Sequence, residues 1–257
     1  PRACGPDLRG SAAGRRREEL RTAEGELAAA MRAEDVRAIL VARGGYGVTR
    51  IAARLPWDDF ARAPKPIVGF SDVTALHVHA AARGVRCVHA PNVTGLGASG
   101  NVHLARNRGA WLAALERPSA PGAWRGLRAI RAGDAAGPLF GGNLALLCAM
   151  AAANALAVPD GAIVLLEDVT ERPYRVDRML TSLIEGGHFA RAAAIVFGEL
   201  TQCDPGPDGV TAESVLVERT SSLGMPVVAG APFGHGALNL AFPIGARATL
   251  SAGELRW

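Results

Sequence analysis

Lysine, tyrosine and long apolar runs are the scarcities of this sequence. Lys65 is the only lysine among 28 basic residues, and there are 2 tyrosines. No stretch approaches the roughly 18 consecutive apolar residues of a spanning helix, so no membrane partner is expected. Aromatic residues make up 5% of the chain, which leaves few rings to stack on bases. The net charge of +4 is carried almost wholly by arginine, and the one dense cluster, Arg15-Arg16-Arg17, runs directly into Glu18-Glu19. That pattern reads as a solvated helix face with i,i+4 pairing, so nucleic acid is not expected as a partner. The four cysteines, Cys4, Cys87, Cys148 and Cys203, form no C-x-x-C and no zinc spacing. They read as incidental thiols in a reducing compartment. With no signal peptide visible, a cytoplasmic location is expected. Repeats, a Walker loop and the G-x-G-x-x-G spacing are also missing.

What is present is a globular composition with the rhythm of an α/β protein. Hydrophobic residues are 49% and charged residues 20% of 257, enough length for one large domain or two modest ones. Residues 11–34 favour helix. Residues 36–42 (VRAILVA) read as a buried strand that runs into Arg43-Gly44-Gly45-Tyr46-Gly47, with a short helix over 48–55 stopped near Pro56. Strand 65–70, helix 73–83 and strand 85–89 repeat the unit, which predicts a parallel sheet with its site at the carboxyl ends of the strands. Residues 91–136, rich in Gly, Asn, Pro and Ser, read as a connection with one helix near 104–115. A second half then begins near Gly137. It offers helix 144–154, strand 162–166, helix 175–185, strand 193–197, helix 213–223, strand 226–229, a Gly234-His235-Gly236 loop and a final hairpin around Ala252-Gly253.

Four places could carry chemistry. Gly69-Phe70-Ser71-Asp72 puts a serine on a strand-to-helix turn, where its hydroxyl is pushed outward and the next N–H points into the same space. Ser71 or Asp72 would serve equally as a helix N-cap. The Arg43–Gly47 turn could be a backbone nest for an oxyanion, or a tight turn that needs positive φ. His235, between two glycines, can reach outward, whereas His77 and His79 sit two apart on a helix and make a poor metal pair. Glu167 ends the most hydrophobic strand of the second half, and with Asp168 it could orient a base or cap a helix.

Taken together, ILVARGGYGVTRIAARL (39–55), KPIVGFSDVTALH (65–77), GPLFGGNLALL (137–147), IVLLEDVTERPYRVDRML (163–180) and APFGHGALNLAFPIG (231–245) resemble the LD-carboxypeptidases. That family includes murein tetrapeptide carboxypeptidases and microcin-immunity peptidases. The resemblance implies a flavodoxin-like parallel-sheet N-terminal domain (1–100), a connecting segment (101–136) and a smaller mixed β/α C-terminal domain (137–257). It implies a serine peptidase with nucleophile Ser71, acid Glu167 and base His235, and an oxyanion hole made by the N–H groups of Asp72 and Gly45. Arg43, Gly44, Tyr46 and Asn143 are expected to touch substrate, and Arg43 or Arg175 to meet its free carboxylate. A murein peptide substrate, a homodimer, no metal and no cofactor are implied as well. The family opens with a further strand and helix, and residues 1–9 do not read as that strand, so the chain is expected either to lack it or to open divergently.

Two other readings stand beside this one. A microcin-immunity-like peptidase would cleave peptidyl or aminoacyl nucleotide analogues, and Tyr174 is the one aromatic in the loops 168–178 and 199–212 that could stack on a base. An inactive truncated homologue is the other. Catalysis demands Ser71 within hydrogen-bond reach of His235, and His235 of Glu167.

Overall fold

The computed structural model describes residues 12–117 and 120–257. Cys4 and residues 1–9 lie outside the described residues. The chain runs through helix α1 (Ala12–Arg32), strand β1 (Ile39–Leu40), α2 (Thr49–Ala52), α3 (Trp57–Arg62), β2 (Ile67–Gly69), α4 (Thr74–Ala81), β3 (Cys87–His89) and α5 (Leu104–Glu116). Then come β4 (Ala123–Trp124), β5 (Arg128–Arg131), β6 (Ala135–Asn143), α6 (Leu144–Ala152), β7 (Ile163–Val169), α7 (Pro173–Glu185), β8 (Ala194–Thr201) and α8 (Ala212–Thr220). The last strands are β9 (Val227–Ala229), β10 (Phe242–Ile244), β11 (Arg247–Ser251) and β12 (Glu254–Arg256).

These strands form two sheets in a mixed α/β fold. The narrower has the order β1-β2-β3-β10 and the wider β4-β12-β11-β6-β7-β8-β9-β5. β1, β2 and β3 are parallel, and so are β6 to β9. β7 lies between parallel neighbours with Ile163 to Asp168 all buried, which is why its sequence is one apolar run ending in two carboxylates. The strand-and-helix rhythm expected over 36–89 and 137–229 is present. Helix α3 was not expected: the chain turns at Pro56 and restarts, with Trp57 Nε1–H donating to Ala52 O at 2.6 Å.

The wider sheet belongs to the C-terminal half and draws strands from outside it. β4 and β5 come from the segment read as a connection and pair antiparallel with β12 and β9. In the other direction, β10 leaves the C-terminal half and pairs antiparallel with β3, Phe242 opposite His89. The two halves therefore share one continuous core. Phe233, Phe242, Trp124 and His89 knit it together, with Trp124 stacked on Phe233 at 5.6 Å and His89 on Phe242 at 4.7 Å. Burial of a phenylalanine ring such as Phe233 or Phe242 is worth about 2–3 kcal/mol. The sole lysine is structural. Lys65 is buried and donates to the Ala30, Met31 and Ala33 carbonyls at the end of α1.

Among the described residues no helix is long and apolar enough to cross a membrane.

Candidate active site

Ser71 follows β2 at the first residue of a short 3-10 turn that leads into α4. Its φ is +65°, a left-handed conformation that costs a non-glycine residue about 1–2 kcal/mol. The turn is wedged from behind. A Cβ on Gly69 would lie 2.8 Å from Asn92 Oδ1 and 3.0 Å from Val73 Cγ2, so only glycine fits two residues before the serine. Phe70 N–H donates to Asn92 Oδ1 at 3.3 Å. Neither Ser71 nor Asp72 caps α4. Asp72 is buried instead, and its Oδ2 accepts from Val48 N–H at 3.0 Å. That bond ties the glycine turn to the serine turn.

The glycine turn lies against the serine. A Cβ on Gly44 would sit 3.5 Å from Ser71 Cβ and 3.7 Å from its Oγ. Gly45 and Gly47 take φ of +156° and +114°, so the need for positive φ and the proximity to Ser71 hold together. The Arg43 guanidinium lies beside Gly45, with Nη2 3.8 Å from where a Cβ would stand. Tyr46 is 72% exposed. Arg175 is on α7, exposed and paired with Glu171 at 3.1 Å.

His235 completes the constellation. Its Nε2 is 3.0 Å from Ser71 Oγ, and its Nδ1 is 2.6 Å from Glu167 Oε2. Glu167 is fully buried at the end of β7, and its Oε1 has no hydrogen-bond partner. With Oε2 accepting Nδ1–H, the Nε2 lone pair faces the Ser71 hydroxyl. Burial opposes an imidazolium here. The hydrogen bond and charge of Glu167, with the charge of Asp168, outweigh it and raise His235 above its ordinary range. Phe70 covers the ring, centroids 4.7 Å apart. Such a hydrogen-bonded row can draw a proton from the serine as it attacks a carbonyl, and hold the charge that forms.

Asp168 and Asn143 are placed differently from Glu167. Asp168 Oδ2 accepts from Ala145 N–H at 2.9 Å, and its Oδ1 from Asn143 Nδ2 at 3.0 Å. Burial pushes its carboxyl up to about 6 despite those donors. Asn143 was expected to touch substrate. It is 3% exposed and caps α6, its Oδ1 accepting from Leu146 N–H at 3.1 Å and its own N–H donating to Thr74 Oγ1 at 3.0 Å. The pair thus fastens the start of α6 to α4. The other buried histidines, His77 and His89, have no hydrogen-bond partner at either ring nitrogen, and His79 stacks on Trp57. Among the described residues no group of three His, Cys, Asp or Glu side chains could hold a metal ion. Asn92 is the participant that the sequence did not flag. Its only signal was its place just beyond a strand's carboxyl end, at Ala90-Pro91-Asn92.

A mixed α/β fold with a serine, an imidazole and a buried carboxylate in hydrogen-bonded order at strand ends defines the class of serine hydrolases. Comparison with known proteins narrows this. Family models of the LD-carboxypeptidase N-terminal and C-terminal domains match residues 8–90 and 136–250. The chain belongs to the LD-carboxypeptidase family, and with it to the serine-type carboxypeptidase hydrolases. It is 35% identical over 231 residues to the murein tetrapeptide carboxypeptidase of Pseudomonas aeruginosa, covering 87% of this chain and 75% of that one. The crystal structure of muramoyltetrapeptide carboxypeptidase from Oxalobacter formigenes superposes with a TM-score of 0.80 at 29% identity, over 91% of this chain and 82% of that one. The microcin C7 self immunity protein MccF shares the fold, with TM-scores of 0.82 and 0.81 at 18% identity over 92% and 80% of the two chains.

Proposed function

We propose that this protein hydrolyses the bond between the L-diamino acid and the terminal D-Ala of a murein tetrapeptide, in peptidoglycan recycling, through Ser71, His235 and Glu167. The observation that carries this reading is the unbroken row from Glu167 Oε2 through His235 to Ser71 Oγ, at 2.6 and 3.0 Å. His235 Nε2 accepts the serine proton as Oγ attacks the scissile carbonyl. Glu167 holds the imidazole tautomer and balances the imidazolium. The N–H groups of Asp72 and Gly45 receive the oxyanion, and loss of one such donor typically costs about 10²–10³-fold in rate. His235 then returns the proton to the leaving D-Ala amine, and water releases the acyl-enzyme by the reverse sequence. The strained φ of Ser71 keeps the hydroxyl aimed out of the turn.

A carboxypeptidase must also hold a free carboxylate. Arg43, with Gly44 and Tyr46, is the choice for that: it has no salt-bridge partner among the described residues and borders Gly45, whereas Arg175 is engaged by Glu171. In this reading Ser71 comes from an N-terminal domain (1–100) and Glu167 and His235 from a C-terminal one (137–257), joined through 101–136. The reading includes a homodimer in the cytoplasm and needs neither metal nor cofactor.

The microcin-immunity-like alternative has less in its favour. Tyr174 lies under the Arg178 guanidinium at 5.6 Å, so a base would compete with that contact. One experiment separates the readings. The purified protein is given murein tripeptide, tetrapeptide and pentapeptide and an aminoacyl sulfamoyl nucleoside, and products are read by mass spectrometry. Release of D-Ala from the tetrapeptide, abolished by Ser71→Ala, is expected. Cleavage of the nucleoside alone, or an unchanged rate in Ser71→Ala, would overturn the proposal.

A further inference from the structure

The loop that carries His235 is held from outside the two halves that supply the reacting groups. Its anchor is on α5, in the segment between them. Asn107 is the single buried residue of that helix, 3% exposed, on an element whose other side chains are half-buried or exposed. A buried amide with no task would be unfavourable, and this one is engaged by the loop through both its nitrogen and its oxygen. Its Nδ2 donates to Ala237 O at 3.0 Å, and its Oδ1 accepts from Asn239 N–H at 3.0 Å. The two bonds run side by side, as one strand pairs with another, and they fix both the position and the tilt of residues 237–239. Asn101 Nδ2 adds a second donor to Ala237 O at 2.9 Å.

The restraint continues inward. Asn239 is itself buried, and its Oδ1 accepts from Gly234 N–H at 3.4 Å. Gly234 takes φ +132°, and a Cβ there would stand 3.3 Å from Glu167. Residues 234 and 239 are thus pinned on either side of His235, one against Glu167 and one against α5. Two glycines flank the histidine, so the loop has little stiffness of its own.

We propose that Asn107 is a positioning residue for His235: through Ala237 and Asn239 it sets the register of the 234–239 loop, so that Nδ1 meets Glu167 and Nε2 meets Ser71 at the same time. The inference rests on His235 acting as the base of the proposed reaction. Asn107 touches neither substrate nor reacting atoms.

The test uses Asn107→Ala in the full chain, with Asn101→Ala, which removes one donor to Ala237 O and leaves Asn107 in place, as the milder variant. Three quantities are read: kcat and KM for D-Ala release from murein tetrapeptide, the imidazole pKa of His235 by NMR, and the thermal midpoint. The groups facing His235 are Glu167, Asp168 and the neutral His89. A slackened loop lengthens the contact with Glu167, so the imidazole pKa falls. Misplacement of a catalytic group by about 1 Å can cost up to roughly 100-fold, so kcat is expected to fall about 10- to 100-fold in Asn107→Ala with KM changed less than about threefold. Asn101→Ala should fall between it and wild type. A folded variant with an unchanged His235 pKa and unchanged kcat, showing only a lower thermal midpoint, overturns the inference. The NMR reading decides it separately from the catalytic reading. A His235 pKa that falls while D-Ala release is unaffected leaves the positioning role standing and removes the catalytic one.

Discussion

Acid should destabilise this fold through His77 by an amount the structure sets. The ring lies on α4, 1% exposed, with no hydrogen-bond partner at either nitrogen. Burial pushes it down from 6.5 to about 4, and a weak contact with the Ile67 backbone offsets little of that. Between those values the unfolded chain binds a proton that the native state refuses, so stability is complete above pH 6.5 and is lost as pH falls toward 4. At 1.36 kcal/mol per unit, the full loss is about 3 kcal/mol, and about 2 kcal/mol is already gone at pH 5. That is a large share of the roughly 5–15 kcal/mol by which a domain is stable. His89 acts in the same direction, because burial, with the neighbouring His77 and His235, holds it well below its ordinary range. Urea unfolding at pH 8 and pH 5 measures these two against Asp168 and His235, whose raised values favour the folded state in acid, and His77→Leu isolates one part. The variant should be at least as stable as wild type at pH 8, because a buried ring with only that weak polar contact leaves the core. Its loss between pH 8 and pH 5 should be smaller by about 2 kcal/mol. An equal loss in the two proteins would refute the argument from burial.

Two further outcomes bear on the site. Glu167→Gln removes the larger part of what raises His235 and leaves only the charge of Asp168, so the acid limb of kcat/KM for D-Ala release, expected above pH 6.5, should move to lower pH while kcat drops about 10³–10⁴-fold; a limb that stays in place counts against the Glu167–His235 pairing. Ser71→Gly should abolish turnover and yet stabilise the fold by about 1 kcal/mol, since glycine takes φ +65° without strain; chemical denaturation that shows a loss instead would mean the turn is not strained.

Local patterns made much of this fold legible. Short apolar runs ended by Gly or a carboxylate predicted β2, β7 and β8, and the hairpin around Ala252-Gly253 followed from its turn residues. Ser71, Glu167 and His235 were each visible because a strand end or a glycine-flanked loop exposes a side chain that packing does not need. Long-range pairing was not legible. β10 is three residues long, and nothing in Phe242-Pro243-Ile244 says that it pairs with Cys87–His89 more than 150 positions earlier. The same holds for β4 and β5, whose partners lie beyond residue 226. Asn107 could have been found. Ala110, Trp111 and Ala114 stand three, four and seven residues after it and pack on the narrower sheet, which places Asn107 on the inward face of α5. A polar residue there needs a partner, though the sequence does not say which one.

The construction of the site explains why so many of its supports are backbone contacts. The serine hydroxyl, the imidazole and the carboxylate come from residues 71, 235 and 167, so no local element sets their spacing. Each is fixed instead where a side chain would collide. A Cβ on Gly69 would strike Asn92, one on Gly142 would fall 2.5 Å from Thr74 Oγ1, and one on Gly236 would overlap the Glu199 carboxylate. Thr74 begins the helix that follows Ser71, and Gly142 precedes the Asn143 that bonds to Asp168, the neighbour of Glu167. The close approach at Gly142 therefore sets the distance between the serine turn and the carboxylate, and the loop held by Asn107 and Asn239 brings the histidine into the gap between them.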